Sequence, residues 1–167
     1  IGLFYGDYFA RPEKQGGAWM SSLRDQEKLT GPVLPLITNT CNFVKSEPAL
    51  LSFEDARTLF HEFGHALHGL LSKVTYPRLS GTNVARDFVE FPSQFNEHWA
   101  LYPDILKHYA VNYKTGAPIP QALVDKIKAS SKAKSKPDSP WNTAPDEMWK
   151  KSAIRRLLKY APMEESY

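Results

Sequence analysis

The sequence predicts a mainly α-helical fold with a small β-sheet beside its most apolar helix. Residues 52–71 place large apolar side chains at helical spacing, and residues 85–99 do so again after a loop rich in turn residues. Two short apolar runs, residues 1–5 and 33–37, precede these helices and have the length of strands. The 167 residues suit one domain or part of a larger one.

The N-terminal third predicts two strands. Residues 1–5 form the first, residues 11–17 read as a loop, and residues 18–29 as a short helix or an irregular segment. The second strand, residues 33–37, contains Pro35, which lacks a ladder donor and therefore predicts an edge strand. A peptide could add to such an edge along residues 37–43, unless other parts of the protein cover it.

The helix at residues 52–71 has clear start signals. Ser52 is a good N-cap, Asp55 three residues later allows a capping box, and Glu54 adds negative charge to the first turn. Almost every turn carries a large apolar side chain, so we expect the helix to be mostly buried.

This helix contains the sequence His61-Glu62-Phe63-Gly64-His65, the pattern H-E-x-x-H. Residues four apart lie on one helix face, so His61 and His65 can bind one metal ion, and Glu62 can act as a base on a metal-bound water. The pattern therefore predicts a zinc-dependent hydrolase. The alternative is a pair of hydrogen-bonded core histidines with Glu62 facing water.

A third ligand is expected on the helix at residues 85–99, which should be kinked at Pro92 or begin near it. Glu90 is the first choice and Glu97 the second, because both lie on one face of that helix. His68 lies seven residues after His61, about 10 Å along the helix, too far for the same ion. His68 is therefore predicted to contact substrate, support the ligands or be structural.

Two runs make a resemblance specific. Residues 61–68, HEFGHALH, and residues 80–94, SGTNVARDFVEFPSQ, look like the thimet-oligopeptidase family of zinc peptidases, most of all its bacterial peptidyl-dipeptidases. The resemblance covers about residues 1–129. It implies zinc held by His61, His65 and Glu90 with Glu62 as general base, and a zincin-type catalytic core within a larger helical fold. It further implies cleavage of short peptides, with release of dipeptides from the C-terminus.

Some features of that family are missing. The family's Tyr and His that stabilise the oxyanion, in a stretch rich in Gly and Tyr, have no counterpart here. The chain also starts at Ile1 without a Met. We therefore expect residues 1–129 to be a partial catalytic core that needs other segments for activity. The expected location is the cytoplasm, or the periplasm if a leader precedes the chain.

Residues 130–167 form a basic tail, with five lysines and no acid over residues 126–136 and a predicted helix over residues 146–160. Residues 139–141 and 150–162 resemble part of the RecT-type single-strand annealing proteins. The tail therefore leaves a nucleic-acid-binding function open as an alternative, and an inactive zinc-binding fragment is another.

Cys41 is the only cysteine, which excludes an internal disulfide. The sequence contains no run of eighteen apolar residues, so no membrane-spanning helix is predicted.

Overall fold

A computed structural model describes residues 1–130 of the chain. The chain divides into one compact unit over Ile1–Pro118 and a second that begins at Ile119. The first unit contains a three-stranded sheet and three α-helices, and the described part of the second contains one α-helix. The described residues thus form a small α/β arrangement. The helix that the sequence predicts over residues 146–160 lies outside them.

The sheet consists of β1 (Leu3–Phe9), β2 (Trp19–Arg24) and β3 (Leu36–Phe43). Their order is β1-β3-β2, with β3 parallel to β1 and antiparallel to β2. Two predictions were therefore wrong. Residues 19–24 form a strand rather than a helix or an irregular segment, and the strand after Pro35 is central rather than an edge. Because β3 is paired with β1 on one side and, over Leu36–Thr40, with β2 on the other, no peptide can add to it along residues 37–40.

One face of the sheet is covered by α1 (Phe53–Leu70). Alternate residues of β3 are buried, and its Ile37 packs with Ala66 and Leu70 of the helix at the centre of the core. Asn39 follows on the same face with no exposed surface, and its amide has no hydrogen-bond partner within residues 1–130. The buried face of α1 thus packs on one face of the sheet, which supports the helix.

The start of α1 agrees with its sequence signals. The Ser52 side chain accepts a hydrogen bond from the Asp55 amide, and the Asp55 carboxylate accepts one from the Ser52 amide, which completes the capping box. Burial is less complete than predicted, since Phe63 is 38% exposed and Leu71, just past the helix, is 63% exposed. The helix therefore has one buried face and one open flank.

Replacing Ser52 with Ala should lower the free energy of unfolding by about 1 kcal/mol, because the Asp55 amide in the first turn loses the hydroxyl oxygen that accepts its hydrogen bond. Thermal or urea unfolding followed by circular dichroism measures this change. Ser52→Thr is the matched control, since it keeps a hydroxyl cap and should lose only a few tenths of a kcal/mol. Equal losses in the two variants would show that the cap contributes nothing.

The second helix of the site is α2 (Arg86–Glu97), followed by a short 3₁₀ turn at His98–Leu101 and by α3 (Pro103–Tyr109). Pro92 lies inside α2, so of the two predicted alternatives a start near this proline is excluded, and a kink at Pro92 stays a prediction. Instead α2 begins six residues earlier and continues past the proline. The described part of the second unit is α4 (Gln121–Ser130).

Two contacts fix α2 against α1. A β-carbon placed on Gly64 would lie 2.5 Å from the Ser93 α-carbon and 2.7 Å from the Pro92 carbonyl oxygen, so the backbones almost touch there. About one turn farther along α2, the Asn96 side-chain amide donates to the Phe60 carbonyl at 2.6 Å. The glycine permits the close crossing and the asparagine fixes its register.

Candidate metal centre

The crossing of α1 and α2 brings His61, His65 and Glu90 together. Glu90 Oε2 lies 3.3 Å from His61 Nε2 and 3.4 Å from His65 Nε2. The three ligand atoms all lie within 4.8 Å of one another. Two imidazole nitrogens and one carboxylate oxygen that converge in this way form the donor set of a catalytic zinc site, which leaves a fourth position open. The residues therefore fit the zinc ion that the sequence predicts.

The two histidines approach this point from one face of α1. Their ring centroids are 4.9 Å apart and nearly perpendicular, as expected for positions four apart on a helix. The His65 side chain is only 12% exposed. Burial is the main cause that lowers the pKa of His65, which favours the neutral imidazole that a metal needs as ligand.

Ser93 holds Glu90 in place. Its hydroxyl is fully buried and lies 3.0 Å from Glu90 Oε2 and 2.9 Å from the Glu90 backbone carbonyl. The single hydroxyl hydrogen is within reach of both oxygens, one turn back along the same helix, and its bond to Oε2 restrains the carboxylate that approaches the two histidines. No sequence motif marks Ser93, although its position three residues after Glu90 places it on the same face.

Glu62 is buried on α1 with 7% of its surface exposed. Burial raises the pKa of its carboxyl group, the charge of Glu90 raises it further, and His61 acts in the opposite direction. A buried carboxylate beside the ligand group is the residue type expected for a general base. The alternative in which Glu62 faces water is therefore wrong for the described structure.

Glu97, the second choice as third ligand, occupies a different position. Its Oε1 lies 2.6 Å from His61 Nδ1, the ring nitrogen opposite the one that faces Glu90. Its Oε2 accepts a hydrogen bond from Arg57 Nε at 2.8 Å. Burial alone would raise the pKa of Glu97, but the hydrogen bonds from Arg57 and His61 outweigh it and the pKa is lowered. The carboxylate is thus ionised and lies behind the ligand rather than among the ligands.

His68 lies outside the ligand group, as its spacing predicts. Its ring packs edge-on against Phe88 with centroids 6.1 Å apart, and burial lowers its pKa. Its Nδ1 has no hydrogen-bond partner among the described residues. Arg57, which the sequence analysis did not consider, lies one turn before His61 on the same face, and this spacing was the signal for it.

None of the helices described is both long and apolar enough to cross a membrane.

Comparison of the sequence with known proteins identifies a family. A sequence model described as peptidase family M3 matches residues 1–144. Dipeptidyl carboxypeptidase of Escherichia coli (strain K12) is 52% identical over 134 residues, which are 78% of this chain and 20% of that protein.

Two more distant relatives carry other peptidase names. Oligopeptidase A of Escherichia coli (strain K12) is 42% identical over 135 residues, covering 77% of this chain and 20% of that protein. Mitochondrial intermediate peptidase of Arabidopsis thaliana is 38% identical over 135 residues, covering 78% of this chain and 19% of that protein. The chain thus spans about a fifth of the length of these curated relatives.

Proposed function

The chain belongs to peptidase family M3, and we propose that it carries a zinc site that hydrolyses peptide bonds, with His61, His65 and Glu90 as ligands and Glu62 as base. The observation that carries this proposal is the approach of Glu90 Oε2 to Nε2 of both histidines, at 3.3 and 3.4 Å. A zinc ion at such a site acidifies water and polarises a carbonyl group. The proposed fold around it is a zincin-type core.

Glu62 moves the protons in the proposed reaction. Its carboxylate accepts a proton from the water that attacks the scissile carbonyl carbon. It then delivers that proton to the amine nitrogen as the C–N bond breaks, so that a carboxylic acid and an amine leave the site. Burial of Glu62 supports this role. Once the carboxylate has accepted the proton from water, shielding from bulk solvent retains that proton until it is transferred to the leaving amine.

The proposed substrates are short peptides, with release of C-terminal dipeptides as the expected mode. This expectation comes from the relative named dipeptidyl carboxypeptidase, which is 52% identical. Cleavage of peptides at another bond is the alternative, since other relatives are named only oligopeptidase. Mass spectrometry of the products from a ten-residue peptide separates the two, because one yields dipeptides in steps and the other yields larger fragments.

The nucleic-acid alternative rests on the basic tail, most of which lies outside the described residues. It stays a prediction, as do the predicted boundary at residue 129 and the cytoplasmic or periplasmic location. Binding of labelled single-stranded DNA that weakens steeply with salt would support this alternative. An inactive zinc-binding fragment would instead bind zinc and leave every peptide uncleaved.

The proposed ligand set predicts that replacing His61 with Ala lowers zinc affinity more than 100-fold, since losing a ligand costs more than the 10–100-fold typical of an outer-shell partner. Zinc competition with a chromogenic chelator measures this change. His68→Ala is the matched control, because His68 is a partly buried histidine on the same helix outside the ligand group. If both variants bound zinc like the wild-type protein, the assigned ligand set would be wrong.

A further inference from the structure

Behind His61, on the side away from the ligand group, lies a pair of charged residues. Glu97 reaches His61 Nδ1 at 2.6 Å with one carboxylate oxygen and accepts from Arg57 Nε at 2.8 Å with the other. The Glu97 side chain is only 17% exposed, and the Arg57 side chain is 49% exposed. The pair is therefore anchored at the protein surface and directed inward at a single ring nitrogen.

The charge of Glu97 determines which imidazole nitrogen carries the proton. A carboxylate only accepts hydrogen bonds, so His61 Nδ1 must be the donor in this contact. In a neutral imidazole the lone pair is then on Nε2, which is the nitrogen that lies 3.3 Å from Glu90 Oε2. The hydrogen bond from His61 on α1 to Glu97 on α2 also restrains the rotation of the imidazole ring, because Nδ1 must stay directed at the carboxylate.

The second histidine lacks such a partner in the described structure. His65 Nδ1 is buried and has no hydrogen-bond partner within residues 1–130. The two histidines therefore differ, although they are equivalent in the sequence pattern. The orientation of His61 depends on a contact from the opposite helix.

We propose that Glu97, held by Arg57, is a positioning residue that presets His61 Nε2 as a zinc ligand. This inference rests on the proposed function, because it needs the zinc site. Arg57 fixes the carboxylate through its second oxygen, so that the first remains directed at the ring. Glu97 contacts His61 at Nδ1, the ring nitrogen away from Glu90, and Arg57 contacts Glu97, so the effect of both residues on the metal passes through His61.

The test is the zinc dissociation constant of the full chain, measured by competition with a chromogenic chelator at fixed pH. Glu97→Gln keeps the size of the side chain and one acceptor oxygen, but it loses the charge and the ion pair with Arg57. We expect its zinc affinity to fall about tenfold, and that of Glu97→Ala to fall by up to about 100-fold. With Co²⁺ as probe, both should keep a visible spectrum that reports the same number of ligands.

Glu54→Gln is the matched control. Glu54 is an exposed carboxylate on α1 that pairs with the same arginine at 3.6 Å but does not contact His61. The zinc affinity of the Glu54→Gln variant should stay within about twofold of the wild-type value, because an exposed ion pair contributes little. An equal fall in Glu54→Gln and Glu97→Gln would overturn the inference, because general charge loss would then explain both.

An unchanged zinc affinity in Glu97→Gln and Glu97→Ala would also overturn it, while leaving the proposed function intact. A wild-type protein that binds no zinc would instead overturn the proposed function and this inference together. Melting temperatures of the zinc-free variants separate positioning from folding. If Glu97→Gln unfolds in the zinc-free form at the assay temperature, a structural role replaces the positioning role.

Discussion

Replacing Glu62 with Gln should lower kcat for peptide cleavage about 10³-fold and leave zinc affinity nearly unchanged. Glutamine has the shape of glutamate and can hydrogen-bond a water molecule, but it cannot accept its proton. Because Glu62 is 7% exposed, a side chain of the same volume is needed to keep α1 packed on the sheet. Steady-state cleavage of a short peptide, with zinc content measured on the same sample, tests this prediction.

Glu54→Gln serves here as well, since it removes an exposed carboxylate from the first turn of the same helix. It should cleave peptide at the wild-type rate. Wild-type cleavage by Glu62→Gln would show that another group is the base. Loss of both zinc and activity in Glu62→Gln would show that Glu62 holds the site together rather than moving protons.

The sequence predicted the first helix and the family because both depend on local patterns. The capping-box hydrogen bonds join Ser52 to Asp55, only three residues away, so their spacing is sufficient to place the start of α1. The predicted resemblance to the thimet-oligopeptidase family and its bacterial peptidyl-dipeptidases is confirmed by the match to peptidase family M3 and by the relatives found.

The sheet could not be predicted in the same way. Pro35 predicted an edge strand, but it lies just before β3 and accepts a hydrogen bond from the Leu3 amide instead of interrupting the ladder. Strand order depends on pairing between residues more than thirty positions apart, such as Leu3 with Leu36. No local pattern carries that information, because the same alternation suits a central or an edge strand.

Helical spacing could predict which site residues share a face of one helix, but not how the two helices place them against each other. His61 and His65 follow from one helix, and Glu90 was chosen from its spacing and surroundings; their role as ligands stays a prediction. Whether Glu90 or Glu97 reaches the Nε2 atoms of both histidines depends on how α2 is rotated against α1. Both lie on one face of α2, so the crossing geometry decides, and that geometry is set where Gly64 meets Ser93.

Replacing Gly64 with Ala should therefore disrupt the zinc site without changing any ligand. The added methyl group would lie 2.5 Å from the Ser93 α-carbon and 2.7 Å from the Pro92 carbonyl oxygen, both of which are backbone atoms. Backbone cannot rotate away as a side chain does, so α2 must move. Glu90 moves with it, and Ser93 can no longer hold the carboxylate between the histidines. We expect zinc affinity to fall more than 100-fold.

Stability should fall in the same variant, although alanine is the better helix former. Overpacking at a tight crossing costs about 3 kcal/mol, whereas the gain in helix propensity is about 1 kcal/mol, so the net loss is about 2 kcal/mol. Urea unfolding of the zinc-free protein measures this loss apart from the metal.

Gly69→Ala shows whether the effect belongs to the crossing or to the helix. Gly69 lies in the last turn of the same helix, and the three atoms nearest to its added methyl group would be two of the Ile37 side chain, at 2.7 and 3.2 Å, and the end of Met20 at 3.7 Å, none of them in α2. The Ile37 side chain can change rotamer, at about 1 kcal/mol. Zinc affinity should then be retained in Gly69→Ala and lost in Gly64→Ala. Retention in both would mean that the helices can separate without moving Glu90, and that the close crossing does not set the metal site.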